Sequence, residues 1–106
     1  MRHVMCKLTN GIKDNWIVEQ AILASAHENN LDVRKVLREE FTDPTGITML
    51  LLLGESHYSL HSFYEQDMYM VDLFTCNPNT PVKKIIRRLA ELTSSKITDI
   101  VEMERS

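Results

Sequence analysis

"ITMLLLLGESHYSLHSFYEQDMYMVDLFTC", residues 47–76, decides the fold. "ITMLLLL" (47–53) is a short, continuous apolar run of the kind a buried strand needs, and Gly54 ends it. "HYSLHSF" (57–63) alternates and continues as a strand. "EQD" (65–67) is polar and breaks the pattern. "MYMVDLFTC" (68–76) is a further strand, with Met68, Met70, Asp72, Phe74 and Cys76 on one face. One stretch therefore carries three strands, with a cluster of proton-handling groups against its greasiest run.

Upstream, "RHVMCKLT" (2–9) alternates with Val4, Cys6 and Leu8 on one side, and reads as a strand. "KDNWIVEQAILASAHENN" (13–30) reads as a helix capped by Asp14 or Asn15. Ile17, Ala21 and Ala24 mark its apolar face, widened by Trp16 and Leu23. "LDVRKVLREEF" (31–41) fits either a helix or a strand by its own pattern. "DPTG" (43–46) is a turn signal. Downstream, "NPNTP" (77–81) is a loop, and Thr80 is placed to cap a helix with Pro81 at its first position. Val82, Ile85, Ile86, Leu89 and Leu92 form that helix's apolar stripe; Lys83, Lys84, Arg87 and Arg88 form its wet face. "KITDIVEME" (96–104) is a last strand. Two helices and several mostly hairpin-joined strands predict an α+β fold. It is a two-layer α/β sandwich, a largely antiparallel sheet with two helices on one face.

The 106 residues suit one domain, 1–106, with a modest core that a partner subunit would help. Hydrophobic residues at 43% and charged residues at 25% are ordinary for a globular protein. A net charge of −3 offers no general attraction to nucleic acid, and the basic helix face lacks interleaved aromatics. No apolar run approaches the ~20 residues that span a bilayer, and "MRHVMCKLTNG" lacks the apolar stretch of a secretory signal. The expectation is a cytoplasmic protein, without membrane or nucleic-acid partners, whose Cys6 and Cys76 are thiols.

Ser56, His57, His61 and Cys76 invite three chemistries. Four strand residues separate the two imidazoles by roughly 13 Å, so one metal ion cannot take both without a bend. No metal is expected. No cysteine-hydrolase signature surrounds Cys76, which on local sequence alone reads as an inert thiol. "GESHY" (54–58) has Tyr58 where the second glycine of a serine-hydrolase elbow belongs.

The spacing of "ESHYSLHSFYEQDMYMVDLFTC" (55–76) resembles the signature of the bacterial and archaeal S-adenosylmethionine decarboxylases. That family reads roughly E-S-H-x-S-x-H-T-W-P-E-x-G-Y-x-x-V-D-x-F-T-C-G. Glu55, Ser56, His57, Ser59, His61, Glu65, Val71, Asp72, Phe74, Thr75 and Cys76 fall in its register without a gap. "RHV" (2–4), "PTGITMLLLLGES" (44–56) and "VEMER" (101–105) extend a weaker similarity across the chain.

The resemblance implies a small pyruvoyl-dependent enzyme of polyamine synthesis, made as a proenzyme that cuts itself between Glu55 and Ser56. By the same resemblance Ser56 becomes the pyruvoyl group, which holds the substrate amine as a Schiff base. His61 is the processing base, Thr48 supports processing in place of the family's usual serine, and Cys76 is the proton donor for decarboxylation. Glu65 and Phe63 lie near the substrate. Residues 1–55 and 56–106 become separate fragments, and the processed protomers pair as a homodimer. The family context also reads 31–41 as a strand.

Several positions depart from the family. Tyr64 replaces a proline, Asp67 and Met68 replace Gly-Tyr, and Asn77 replaces the glycine after the cysteine. The aromatic expected before the P-x-G turn is Thr42 in ungapped register, and Phe41 takes its place only with a shift. S-adenosylmethionine is the first substrate expected, with arginine or ornithine as the alternative on the same scaffold. An unprocessed regulatory subunit is the alternative of another class; retention of Ser56, His61 and Cys76 counts against it.

Overall fold

A computed structural model describes residues 1–104. Six strands form one antiparallel sheet: β1 (Arg2–Thr9), β2 (Lys35–Thr42), β3 (Thr45–Leu52), β4 (His57–Phe63), β5 (Met68–Thr75) and β6 (Lys96–Glu104). Their spatial order is β2-β3-β4-β5-β1-β6. β2 to β5 run as a meander of hairpins. β1 then enters between β5 and β6, so the first and last strands lie side by side. The helices α1 (Asn15–His27) and α2 (Val82–Leu92) cover one face, as the sandwich pattern predicts.

Alternation sorts the side chains. Val4, Cys6, Leu8, Ile47, Met49, Leu51, Tyr58, Leu60, Tyr69, Val71 and Leu73 face the helices and are buried. The residues between them form the other face, which neither α1 nor α2 covers. That face carries Met5, Leu37, Phe41, Phe63, Met70, Val101 and Met103, all among the exposed large apolar side chains. The 31–41 segment resolves as a strand from Lys35 onward, an edge strand whose residues are all exposed. Its helical pattern loses because Arg38 and Glu40 pair over the inner face with Met49 and Ile47, and Arg38 bonds Glu19 of α1 at 2.7 Å.

Two helix details differ from expectation. The buried stripe of α1 is Val18, Ala21, Ile22, Ser25 and Ala26; of the expected face Ala21 is in it and Leu23 packs at its edge, while Ile17 and Ala24 are only half-buried and Trp16 is 69% exposed. The helix is apolar on most sides, and the true stripe hides behind a serine. Ser25 tolerates burial because its hydroxyl pairs with the buried Tyr58 hydroxyl at 2.8 Å and donates to the Ile22 carbonyl. Asp14 caps this helix by accepting from the Ile17 N–H. Thr80 does not cap α2. Its hydroxyl is turned inward to Thr75 at 3.0 Å, and Pro81 takes the N-cap position without a side-chain bond.

Burial pushes the Cys6 thiol up from 9.0 to about 12, with the Asp72 carboxylate adding to the shift. In the unfolded chain the thiol ionises near its ordinary value; in the fold it stays neutral. Folding is therefore favoured below about pH 9 and loses this contribution as the pH climbs toward 12. The denaturation midpoint is expected to fall between pH 8.5 and 10.5 (roughly the window of thiol ionisation), and Cys6→Val is expected to flatten that fall. An unchanged slope in Cys6→Val would contradict this.

Candidate active site

Gly54 and Glu55 form the tip between β3 and β4, because Leu52 pairs with His57 and leaves two residues beyond the flanking pair Leu53 and Ser56. Gly54 has φ +79°, a left-handed backbone that a side chain disfavours and that a two-residue hairpin needs. The tip therefore presents the Glu55–Ser56 peptide in a tight, defined turn.

Cys76, at the end of β5, grips that peptide twice. Its backbone N–H donates to Ser56 Oγ at 3.0 Å, and its thiol donates to the Glu55 carbonyl oxygen at 3.5 Å. The nucleophile of an acyl shift and the carbonyl it would attack are thus held by one residue twenty positions away. Ser56 also lines a cavity of about 330 Å³ between the end of α1 and the start of α2, with Asn29, Asp32, Thr75, Asn77 and Thr80.

On the uncovered face, directly beside the tip, Asp72 Oδ1 accepts from His3 Nε2 at 2.6 Å and lies 3.5 Å from His57 Nε2. Phe74 stacks on His57 at 5.7 Å between ring centroids. This cluster ties the residue after Ser56 to β1 and β5. Sequence reading gave no role to His3 or Asp72. Alternation puts both on the uncovered face, but only the β1–β5 pairing brings residues 69 positions apart into contact.

The remaining expected site residues lie elsewhere. His61 pairs with Thr48 in the β3–β4 register, and Thr48 Oγ1 meets His61 Nδ1 at 3.2 Å. From His57 to His61 the strand runs roughly 13 Å, so this pair stands far from Ser56 of the same chain. Around it, Phe41, Phe63, Pro44 and Glu65 join Thr48 and His61 to line a cavity of about 340 Å³. Phe41, not Thr42, supplies the aromatic there. Thr42 pairs with Thr45 at the hairpin end, whereas Phe41 lies on the same face as Thr48. Between the two groups runs a depression of about 530 Å³, lined by Met5, Met70, Val101, Ser59, His61 and Asp72. The structure thus brings Glu55, Ser56 and Cys76 together at one end of the sheet. Thr48, His61, Phe63 and Glu65 gather at the other.

The family model described as S-adenosylmethionine decarboxylase matches residues 2–106. S-adenosylmethionine decarboxylase proenzyme 2 of Halalkalibacterium halodurans is 29% identical over 108 residues, which cover 98% of this chain and 84% of that protein. The proenzyme of Shouchella clausii is 30% identical over 112 residues, covering 98% and 83% respectively. The proenzyme of Archaeoglobus fulgidus is 28% identical over 95 residues, covering 85% and 83%. In fold, the chain is similar to the crystal structure of the adenosylmethionine decarboxylase from Aquifex aeolicus, with a TM-score of 0.86 at 21% identity. The match covers 98% of this chain and 88% of that one.

Proposed function

The chain belongs to the S-adenosylmethionine decarboxylase family, and from that premise we propose that it is a proenzyme whose processed form decarboxylates S-adenosylmethionine. The observation that carries the proposal is the double grip of Cys76 on the scissile unit, since an acyl shift needs the Ser56 hydroxyl and the Glu55 carbonyl held together. The relatives' names favour S-adenosylmethionine over arginine or ornithine.

Self-cleavage starts when Ser56 Oγ attacks the Glu55 carbonyl carbon. The thiol of Cys76 polarises that carbonyl. The hydroxyl proton passes to the Ser56 nitrogen, the C–N bond breaks to leave a free amine, and an ester joins Glu55 to Ser56. A base removes the Ser56 α-proton, and Glu55 departs as a carboxylate. The donors of Cys76 face both oxygens of that leaving group. Dehydroalanine remains, tautomerises to an imine, and is hydrolysed with release of ammonia.

The residues fit a pyruvoyl group made from Ser56, because Ser56 stands just before β4 with the Cys76 N–H on its Oγ and the Cys76 thiol on the adjoining Glu55 carbonyl. Such a group supplies an electron sink for the loss of carbon dioxide. Cys76 would hold the proton that returns to the substrate carbon. Phe41 and Phe63 would bound the substrate, with Glu65 at the rim of their cavity.

Within one chain His61 stands roughly 13 Å along β4 from His57, out of reach of Ser56, and a second copy would supply it. The uncovered apolar face is the surface a partner would bury. A two-fold axis in the plane between stacked sheets, crossing the strands, lays the His61 end of one sheet over the Ser56 end of the other. The partner subunit's His61, held by its own Thr48, would then serve Ser56. The reading as a homodimer rests on this complementarity.

The test of function is direct. Purified protein is expected to show two bands on a denaturing gel and to release labelled carbon dioxide from S-adenosylmethionine. Release from arginine or ornithine alone would move the substrate while sparing the mechanism. A single 12.3 kDa chain under all conditions would refute self-cleavage.

A further inference from the structure

Leu53 and Ser56 flank the tip of the β3–β4 hairpin, and the Leu53 N–H donates to the Ser56 carbonyl oxygen at 2.9 Å. Bonds of this kind close many hairpins. Here the acceptor belongs to the residue that undergoes elimination. When a base takes the Ser56 α-proton, the electron pair left on Cα delocalises onto that same carbonyl oxygen. A fixed donor at an oxygen where negative charge develops lowers the barrier to forming the charge.

We propose that the Leu53 backbone N–H is a catalytic group of self-cleavage, stabilising the enolate that forms on the Ser56 carbonyl during elimination. The inference rests on the self-cleavage proposed above and assigns it a donor that no side chain supplies. The electrons balance without an added reactant. The base keeps the α-proton. The C–H pair passes to the carbonyl oxygen, then returns to make the Cα–Cβ double bond. The Cβ–Oγ bond breaks, and its pair leaves on the Glu55 carboxylate.

The two anionic fragments of this step therefore meet separate donors. Cys76 serves the departing carboxylate, and Leu53 serves the enolate. Gly54 makes the second possible, since its left-handed backbone turns the chain tightly enough for the N–H of residue 53 to face residue 56. Leu53 acts through its main chain, so its side chain is free to pack against the core.

The test exchanges Leu53 for its α-hydroxy acid, which replaces the N–H with an ester oxygen and keeps the side chain. The same exchange at Arg34 is the control. It removes the Arg34 N–H to Leu52 carbonyl bond of 2.8 Å on the neighbouring strand and leaves Ser56 untouched. Cleavage is followed by intact mass, with and without hydroxylamine, which cuts esters. Mass also separates scission at residues 55–56 from scission at an introduced ester.

The Leu53 exchange is expected to slow cleavage about 100-fold or more and to accumulate the Glu55–Ser56 ester. The Arg34 exchange is expected to do neither. Leu53→Pro, which also lacks the N–H, is expected to reproduce both signs. Cleavage of the Leu53 exchange at the rate of the Arg34 exchange would overturn the inference, and so would slowing without ester. A natural chain that never cleaves would overturn self-cleavage itself along with it.

Discussion

Ser56→Ala is expected to leave one uncut chain of 12.3 kDa with no decarboxylase activity. The substitution removes the hydroxyl that Cys76 holds at 3.0 Å and that is proposed to attack the Glu55 carbonyl. It also removes the proposed precursor of a pyruvoyl group, so cleavage and turnover are expected to disappear together. The fold is expected to survive. Among the described residues Ser56 Oγ accepts one bond, from the Cys76 N–H at the sheet's rim, and its loss costs about 1 kcal/mol. Intact mass, a denaturing gel and a thermal midpoint give the three readings. Two fragments from Ser56→Ala would show that the cut lies elsewhere. An unfolded variant would show that the hydroxyl is structural.

His61→Ala is expected to slow cleavage by about 100-fold or more, the usual contribution of a positioned base. The ring is exposed, and its one side-chain bond is to Thr48, so the stability effect should stay within about 0.5 kcal/mol. The larger result comes from mixing. In a dimer of one Ser56→Ala chain and one His61→Ala chain, one site combines an intact Ser56 with the partner subunit's intact His61. With equal expression and random pairing, about half the dimers are mixed, so about a quarter of all chains should cleave. Every cleaved chain should carry the His61→Ala substitution, which mass spectrometry reads directly. Absence of cleavage in the mixture would place the base within the same chain, despite the roughly 13 Å of strand between His57 and His61.

The sheet's division also bears on the fate of the cleaved chain. Residues 1–55 contribute β1, β2 and β3, and residues 56–106 contribute β4, β5 and β6. β1 lies between β5 and β6, and β3 lies against β4. The proposed fragments are thus interleaved in one sheet. Cutting the β3–β4 tip would remove a covalent tie and leave the strand pairings in place.

Much of the fold was legible in the sequence, because strand alternation is a local property. Val4, Cys6 and Leu8 had to share one face, and Met68, Met70, Asp72 and Phe74 another, wherever their strands lay. The strand end at Gly54 was likewise written in a single residue, and the cap of α1 was narrowed to Asp14 or Asn15, of which the structure uses Asp14. Where local pattern misled, a long-range partner was responsible. The face drawn through Ile17 and Ala24 left out Ser25, which lies in the core of α1 because Tyr58 meets it from β4. Thr80 looked like a cap until Thr75 turned its hydroxyl inward. The strand at 35–42 competes locally with a helix, and pairing with β3 settled it.

For the site, the spacing from Glu55 to Cys76 carried the chemistry, since residue types and their order along the chain suffice to match a family's motif. Where those residues stand was a tertiary matter. Cys76 reaches Ser56 because β5 runs antiparallel beside β4, and His3 reaches Asp72 because β1 crosses to the far side of β5. The same antiparallel geometry carries His61 and Thr48 away along β4 and β3, splitting a motif that is compact in sequence into two groups at opposite ends of a sheet. The sequence by itself determined which groups the candidate site has. An extended strand advances about 3.3 Å per residue, so five positions of sequence became a separation that side chains cannot bridge. Only the folded sheet decided which of those groups meet within one chain.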